Sequence, residues 1–205
     1  MALKNSLISW LGCWQLLVSD RVALAAWPET TVTSSYKDNF PSFGAMFGKG
    51  EDQYDGYDWT AYTTWTIDEE GEREWELNFF RLEAKADRIV CSGCDRREDS
   101  QVELNSQNVL LMHGMGQDAE TWMKGYFVGT PLPLKLVDEG YNVFMGNNRG
   151  TKFSKNLKVT DKTDEAYWDF DFREMGTEDI PSIIHSINDI VGGSVIYVGY
   201  DMGNT

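Results

Sequence analysis

The sequence predicts an α/β fold that begins with a β-hairpin and continues with parallel strands flanked by helices. Residues 57–82 contain two runs rich in aromatic and β-branched residues, separated by the turn-forming "DEEGE". Downstream, short apolar runs that end in glycine alternate with segments of helical patterning, which is typical of a largely parallel sheet. With 205 residues, 41% of them hydrophobic, the chain can bury a sizeable core.

The chain is strongly acidic, with a formal net charge of -15 at pH 7. Nucleic-acid binding requires Lys and Arg to displace phosphate counterions, so a nucleic-acid partner is excluded. Attachment to an anionic membrane surface by charge alone is excluded for the same reason.

The first 25 residues are typical of a secretory signal peptide. Lys4 supplies a basic start, Leu7 to Val18 are mostly apolar, and Ala23 to Ala25 form a small-residue cleavage site. The apolar run is shorter than the roughly 20 residues that a membrane-spanning helix needs. An amphipathic or core helix is the alternative interpretation. Residues 26–55 are polar and rich in glycine, and we expect them to be irregular.

Cleavage at that site would leave two cysteines, Cys91 and Cys94, in a polar loop over residues 85–107. A C-x-x-C pair in a secreted chain can form a local disulfide or remain reduced. The chain has only two histidines, His113 and His185, so a four-ligand zinc site is poorly supported. We predict neither a metal nor a cofactor.

The elements after the hairpin follow from apolar periodicity. "NVLLMHG" and "YNVFMG" are continuous apolar runs, as expected of strands buried on both faces, and "PLPLKLVDEG" predicts a short helix closed by Gly140. "TEDIPSIIHSINDIVGG" predicts an amphipathic helix that Thr177 would cap, with Pro181 near its start. "SVIYVGY" predicts the next strand. The apolar face of the amphipathic helix comprises Ile180, Ile183, Ile184, Ile187, Ile190 and Val191.

Three turns follow the three predicted parallel strands: "HGMGQD", "GNNRG" and "GYDMGNT". Ligands of such sheets bind beyond the carboxyl ends of the strands, where these turns would meet. The last turn has the pattern G-x-x-x-G, with Gly199 and Gly203 around Asp201. That pattern is typical of a nucleophile elbow, although glycines are also common wherever a parallel strand turns into a helix.

If the turn is an elbow, two backbone N–H groups would stabilise an oxyanion. One is that of Met202, the residue after the nucleophile position, and the other is that of Met115, in the turn after the first parallel strand.

Residues 56–205 resemble the N-terminal half of acid lipases of the lysosomal and gastric type, which have the α/β-hydrolase fold. "EGYNVFMGNNRGTKFSKNLK" is similar to that family's G-Y-x-V-W-M-G-N-x-R-G-x-x-x-S signature, and "YWDFDFREMGTEDIPSIIHSI" to its F-W-x-F-S-F-x-E-M-x-x-x-D-x-P segment. "NVLLMHGMGQDAETWM" and "IYVGYDMGNT" resemble its oxyanion and nucleophile regions. The resemblance implies a secreted or lysosomal hydrolase of acylglycerols or sterol esters. It also implies a lipid ester as substrate or ligand, and transient contact with a lipid interface.

Carried over by position, His113, Gly114 and Met115 match the oxyanion turn, and Met202 matches the residue after the nucleophile. Asp201 occupies the position of the nucleophilic serine, and this is the main departure from the family. In this fold the catalytic acid and histidine follow the nucleophile along the chain. Only four residues follow Asp201, so we expect an incomplete triad and a truncated or degenerate homologue.

Three hypotheses about function remain open at the level of the sequence. The first is an acid-lipase-like ester hydrolase homologue that is inactive as this chain. The second is a non-catalytic relative that binds a lipid or a protein partner. The third is a hydrolase that uses Asp201 as a carboxylate nucleophile, as epoxide hydrolases and haloalkane dehalogenases of this fold do. We expect His185 to be a surface histidine and not a catalytic base.

Overall fold

The computed structural model describes residues 31–32, 38–47, 54, 56–85, 107–124 and 129–204. The predicted signal peptide, residues 1–25, and the pair Cys91 and Cys94 lie outside these residues. Within the described ranges there are seven strands: β1 (Thr31–Val32), β2 (Tyr57–Ile67), β3 (Arg73–Ala84), β4 (Asn108–Met112), β5 (Asn142–Met145), β6 (Ser154–Asn156) and β7 (Val195–Gly199). The α-helices are α1 (Pro41–Gly44), α2 (Leu132–Asp138), α3 (Phe172–Glu174) and α4 (Ile180–Val191).

All seven strands belong to one mixed sheet in the order β1-β2-β3-β5-β4-β7, with β6 paired to β3. The predicted hairpin is confirmed, since β2 and β3 pair antiparallel from Tyr57–Ala84 to Ile67–Arg73. The predicted parallel strands are also confirmed, because β4 lies between β5 and β7 and runs parallel to both. The carboxyl ends of β4, β5 and β7 therefore lie along one edge of the sheet.

The continuous apolar runs of β4 and β5 arise because both faces of the sheet are covered. Side chains alternate along a strand, so Val109 and Leu111 of β4 pack on the face covered by α2, while Leu110 and Met112 pack on the face covered by α4. All four are at most 2% exposed. Burying a side chain of this size stabilises the fold by about 1.5–3 kcal/mol, which makes this central strand a large contributor to stability.

The amphipathic helix forms as predicted but begins earlier. Its residues Ile183 and Ile187 are fully buried against the sheet. A single turn of π-helix, Met175–Asp179, joins α3 to α4, so the helical segment starts at Phe172. The prediction that Thr177 caps the helix is therefore wrong.

The true cap is Asp171, in a capping box. Its side chain accepts a hydrogen bond from the N–H of Arg173 at 2.5 Å, and Glu174 accepts one from the N–H of Asp171 at 2.9 Å. The hydroxyl of Thr177 instead donates to the carbonyl of Arg173 inside the helix. An acidic cap followed three residues later by Glu was the sequence signal for this start.

The stretch expected to be irregular, residues 26–55, contributes β1 and α1 to the fold. Phe43 of α1 is fully buried, and its ring stacks on Phe80 of β3 with 3.9 Å between ring centroids. Phe40 packs edge-on against the same Phe80 ring. This aromatic cluster covers one face of the hairpin. The sequence did not predict α1, because a helix of a single turn is too short to show a periodic pattern.

Candidate functional site

The turn after β7 has the backbone of a nucleophile elbow. Asp201 has φ of 52°, and it is the only non-glycine residue with positive φ in the described part of the chain. A left-handed conformation costs a residue with a side chain about 1–3 kcal/mol, and such residues are concentrated at functional sites.

Both flanking glycines are required by close approach of the backbone. A Cβ on Gly199 would lie 2.1 Å from the carbonyl oxygen of Gly203. A Cβ on Gly203 would lie 2.8 Å from the carbonyl oxygen of Met112 and 2.9 Å from that of His113. In each case the obstructing atom belongs to the main chain, so neither position tolerates a side chain without movement of the turn.

The side chain of Asp201 reaches across to the turn that follows β4. The N–H of Met115, which the sequence suggests as an oxyanion donor, donates to Oδ2 of Asp201 at 3.0 Å. A Cβ on Gly114 would lie 2.9 Å from the Cβ of Asp201, so the contact also depends on glycine at position 114. Residues predicted to form one site, Asp201, Gly114 and Met115, are thus adjacent in space.

The direction of the Met115 N–H is fixed from the other side of its peptide plane. The carbonyl of Gly114, in the same peptide, faces Nδ1 of His113 at 2.8 Å and accepts from the N–H of Gln117 at 3.2 Å. Oε1 of Gln117 in turn accepts from the N–H of Gly114 at 3.1 Å. Because the N–H and C=O of a trans peptide point in opposite directions, these bonds aim the Met115 N–H at Asp201.

His113 is a structural link and not a base. Its Nε2 accepts a hydrogen bond from the N–H of Asn148 at 3.2 Å, so the proton resides on Nδ1, which donates to Gly114. Burial lowers the pKa of His113, which keeps the ring neutral. The ring thereby connects the turn after β4 to the turn after β5.

The turn after β5 is held by buried polar side chains. Asn147 is fully buried; its Oδ1 accepts from the N–H of Ala119 at 2.8 Å, and its Nδ2 donates to the carbonyl of Asn78 at 2.7 Å. Asn147 of the "GNNRG" signature therefore ties three parts of the chain together, which gives this residue a structural role.

Arg149 forms a buried ion pair with the helical segment behind the cleft. Its main-chain N–H and its Nε donate to Asp179 at 2.8 and 2.9 Å, and its Nη2 lies 2.5 Å from Glu178. Burial raises the pKa of Asp179 to about 6, against the opposing effect of the guanidinium. Burial alone would lower the pKa of Arg149, but the two carboxylates outweigh it and hold that pKa above its usual value.

These turns border an open cleft of about 510 Å³. Three apolar side chains at the cleft are well exposed: Met115 at 70%, Phe172 at 59% and Trp168 at 48%. Asp201 adjoins the cleft through Met115 and Met202, both of which line it. The remaining lining residues are His113, Gly116, Gln117, Asp118, Asn148, Arg149, Gly150, Thr151, Lys152, Phe170, Asp171 and Met175.

His185 does not belong to the cleft. It is half-buried on α4, with its Nε2 3.5 Å from Oδ2 of Asp189. Within the described ranges, no group of three or more His, Cys, Asp or Glu side chains is arranged to hold a metal ion. No helix among these residues has the length and apolar character needed to cross a bilayer.

Sequence reasoning missed the residues that position the site, above all Gln117, Asn148 and Asp179. The first two lie inside turns that the sequence did single out, but their roles depend on which turns become neighbours. Asp179 lies in the predicted helix, directly after Glu178 and two residues before Pro181, and nothing in this local pattern shows which of the two carboxylates is buried.

The strand-to-helix elbow at Asp201, opposite the turn of a neighbouring parallel strand, defines a scaffold of the α/β-hydrolase class. Comparisons with known proteins show which proteins the chain is similar to. The chain is 37% identical over 98 residues to human "Lipase member N", a match covering 47% of this chain and 24% of the relative. It is 34% identical over 97 residues to "Triacylglycerol lipase 2" of Arabidopsis thaliana, covering 47% and 23%.

Human "Lysosomal acid lipase/cholesteryl ester hydrolase" is 34% identical over 98 residues, covering 47% of this chain and 24% of the relative. The matches thus span about a quarter of the length of these curated relatives. No family model matches the chain. Among solved structures, a cold-adapted esterase from an Arctic intertidal metagenomic library aligns with 72% of this chain and 52% of its own, at 13% identity and a TM-score of 0.38. That structural likeness is too low to support an argument. The sequence matches show that the chain is similar to acid lipases.

Proposed function

We propose that this protein is an acid-lipase-like relative that binds a lipid ester or a similar ligand in its cleft and does not hydrolyse esters at its elbow. The observation that carries the proposal is the hydrogen bond from the N–H of Met115 to the carboxylate of Asp201, at 3.0 Å. The side chain at the nucleophile position occupies a donor that an ester oxyanion would need.

Asp201 is also the wrong nucleophile for an ester. A serine becomes nucleophilic by losing its proton to a base, whereas an ionised carboxylate has no proton to lose. Attack on an ester by a carboxylate would give an anhydride, a high-energy acyl-enzyme. Loss of a triad nucleophile costs roughly 10⁶ in rate in a serine protease, and we expect a loss of that order here.

The cleft itself supports binding of an apolar ligand. Trp168, Phe172 and Met115 are exposed large apolar side chains grouped at one opening. An apolar surface with a few polar groups beside it is the usual composition of a small-molecule site. The names of the relatives refer to lipases and to cholesteryl ester hydrolysis, and we extend the lipid ester class to this chain as its ligand.

Binding and turnover are tested separately. Equilibrium dialysis with radiolabelled 1-O-hexadecylglycerol, an ether that no esterase cleaves, should show saturable binding. Phe172→Ala should weaken it about fivefold, since about 1 kcal/mol of apolar contact is lost. Ile196→Ala is the matched control, because Ile196 is also exposed but lies on β7 and is not part of the cleft.

Turnover is measured with 4-nitrophenyl butyrate. We expect no hydrolysis above that of the heat-denatured protein. Hydrolysis by the wild-type protein that disappears in Asp201→Ala would overturn the proposal, as would equal loss of ether binding in the two variants above.

A carboxylate nucleophile is the second candidate, and the same hydrogen bond favours it. With Oδ2 held by Met115, the other oxygen of Asp201 could displace a leaving group at saturated carbon. The carbonyl oxygen of the resulting alkyl ester would then face the Met115 N–H, where an oxyanion would form during hydrolysis. Incubation with 1,2-epoxydodecane followed by mass spectrometry tests this. An adduct on the peptide containing Asp201, absent in Asp201→Asn, would support it, and an unmodified peptide would exclude it.

We further infer that the protein enters the secretory or lysosomal lumen. The pattern of residues 1–25 and the lysosomal relative support this inference. Amino-terminal sequencing of the protein secreted from an expressing cell should begin at Ala26, and an intact Met1 in a cytosolic fraction would contradict it.

A further inference from the structure

The cleft has the charge and the aromatic surface to select a positively charged amphiphile. We propose that its preferred ligand is a long-chain amine, with the ammonium group beside Asp201 and the alkyl chain against the exposed apolar residues. The proposal rests on the proposed function, since it names the ligand class of the same lipid-binding cleft.

The charged side chains around the cleft leave it with an excess of carboxylates. Its two basic side chains are already shared between carboxylates. Nζ of Lys152 lies 3.4 Å from Asp118 and 2.6 Å from Glu120. Arg149 is bound in the same manner by Glu178 and Asp179.

Each of these two cations is offset by two carboxylates, so neither gives the cleft a net positive charge for a carboxylate ligand. Two further carboxylates, Asp171 in the lining and Asp201 beside it, are exposed and contact no basic side chain within the described residues. Because the cleft is locally negative, it disfavours a fatty-acid anion and attracts a cation.

Asp201 adds a negative charge at the elbow. A serine at position 201 would be neutral, whereas Asp201 places a fixed negative charge at the point where a lipase would hold the ester group. Only Oδ2 of this carboxylate is engaged by Met115. Its exposed position leaves Oδ1 able to accept from a ligand N–H.

Asn148 supplies a second hydrogen-bond acceptor in the lining of the cleft. Asn148 is 2% exposed, and its Oδ1 accepts no hydrogen bond from any described residue. A buried amide oxygen without a donor is costly, so a ligand that brings N–H groups gains from reaching it. An ammonium group is such a ligand, because it has three donors and no acceptor.

The cleft also has an aromatic surface. Trp168, Phe170 and Phe172 all line the cleft. Cations bind the faces of aromatic rings, and a ring of tryptophan is the strongest partner. The same rings and Met115 provide apolar contact for the methylene chain that follows the ammonium group.

Isothermal titration with three dodecyl compounds, the two ionic ones below their micelle concentrations and the alcohol below its solubility limit, tests the proposal. Dodecylammonium should bind at least tenfold more tightly than 1-dodecanol, and dodecanoate should bind more weakly than the alcohol. Asp201→Asn keeps the shape of the side chain and tolerates a positive φ, so it should weaken dodecylammonium about tenfold and leave 1-dodecanol unchanged.

Asp189→Asn is the matched control, since it removes one exposed charge at the far end of α4, and it should change neither affinity. Equal affinity of dodecylammonium for the wild type and Asp201→Asn would overturn the inference, as would dodecanoate binding as tightly as dodecylammonium. If 1-dodecanol binds but the amine has no advantage, the inference fails while the proposed lipid binding stands. If none of the three compounds binds, the proposed function fails as well.

Discussion

Replacement of Arg149 by methionine should destabilise the protein more than any other single change of a polar residue near the cleft. Asp179 is fully buried and makes three contacts with Arg149. The main-chain N–H and Nε donate hydrogen bonds to it at 2.8 and 2.9 Å, and Nη2 lies 2.8 Å from its Oδ1 in the ion pair. Methionine retains the main-chain bond and removes the other two together with the positive charge. Breaking a buried ion pair by removing one partner costs about 3–5 kcal/mol.

This cost should depend on pH in a defined direction. The pKa of Asp179 is raised from 3.8 to about 6 in the folded protein, chiefly by burial, and loss of the guanidinium raises it further. Between the unfolded and folded values, the native state holds a proton that the unfolded state has lost, so the free energy of unfolding falls as pH rises. Arg149→Met should therefore lose more stability at pH 8 than at pH 5.

Urea unfolding followed by tryptophan fluorescence at both pH values measures this. The guanidinium of Arg149 lies over the ring of Trp75. Arg73→Met is the matched control, because Arg73 lies over the ring of Trp65 but is exposed and, within the described residues, forms no ion pair with a buried carboxylate. It should cost under about 1 kcal/mol. Adding Asp179→Asn to Arg149→Met should recover part of the loss at pH 8. A cost below about 1 kcal/mol for Arg149→Met, or a larger cost at pH 5 than at pH 8, would refute the reasoning.

Three further outcomes follow from the packing and the site. Gly199→Ala should lower the free energy of unfolding by about 3 kcal/mol or more, because its Cβ would lie 2.1 Å from a carbonyl oxygen. Gly71→Ala should lower it by about 1 kcal/mol, because a Cβ there meets nothing within 4 Å but the residue has φ of 85°. Urea unfolding measures both. Similar costs at both positions would contradict the close approach. Burial lowers the pKa of His113 below its ordinary value of 6.5, so the unfolded chain gains a proton that the folded chain does not, and stability should fall as pH drops below about 6.5. His113→Gln should remove this slope, of up to about 1.4 kcal/mol per pH unit, from the thermal unfolding curve, and an unchanged slope would show that another group is responsible. Ile183→Ala should cost about 2–5 kcal/mol and Ile196→Ala under about 1 kcal/mol, since their side chains are 0% and 44% exposed; comparable costs would contradict the assigned core.

Much of the fold could be predicted because its elements have strong local patterns. The hairpin, the runs around Leu110 and Phe144, and the spacing of the apolar residues in α4 each specify one type of element and a buried face. The start of the helical segment was predicted wrongly. A π-helical turn joins α3 to α4, so the capping residue of the whole segment is Asp171 and not Thr177. Such a turn leaves no periodic signal in a sequence.

The positions of the site residues could be predicted from the turns, but the contacts between them could not. Asp201 and Met115 are 86 residues apart, and nothing in either segment indicates that the carboxylate accepts from that particular N–H. The link from His113 to Asn148 and the ion pair of Arg149 are equally non-local. The cleft is also composite, because Trp168 and Phe172 come from a segment that the sequence marked only as a helix entry.

The sequence by itself determined that this is an α/β chain with glycine-bounded turns after its parallel strands, and that Asp201 stands at the centre of the last of these turns. These features are local, since side-chain periodicity and glycine placement act within a few residues. Only the tertiary structure decided that the aspartate accepts from the Met115 N–H, and that buried Arg149 and exposed Lys152 are each shared by two carboxylates. Those contacts depend on which strands are neighbours in the sheet, and that order is set by burial of the whole apolar surface at once.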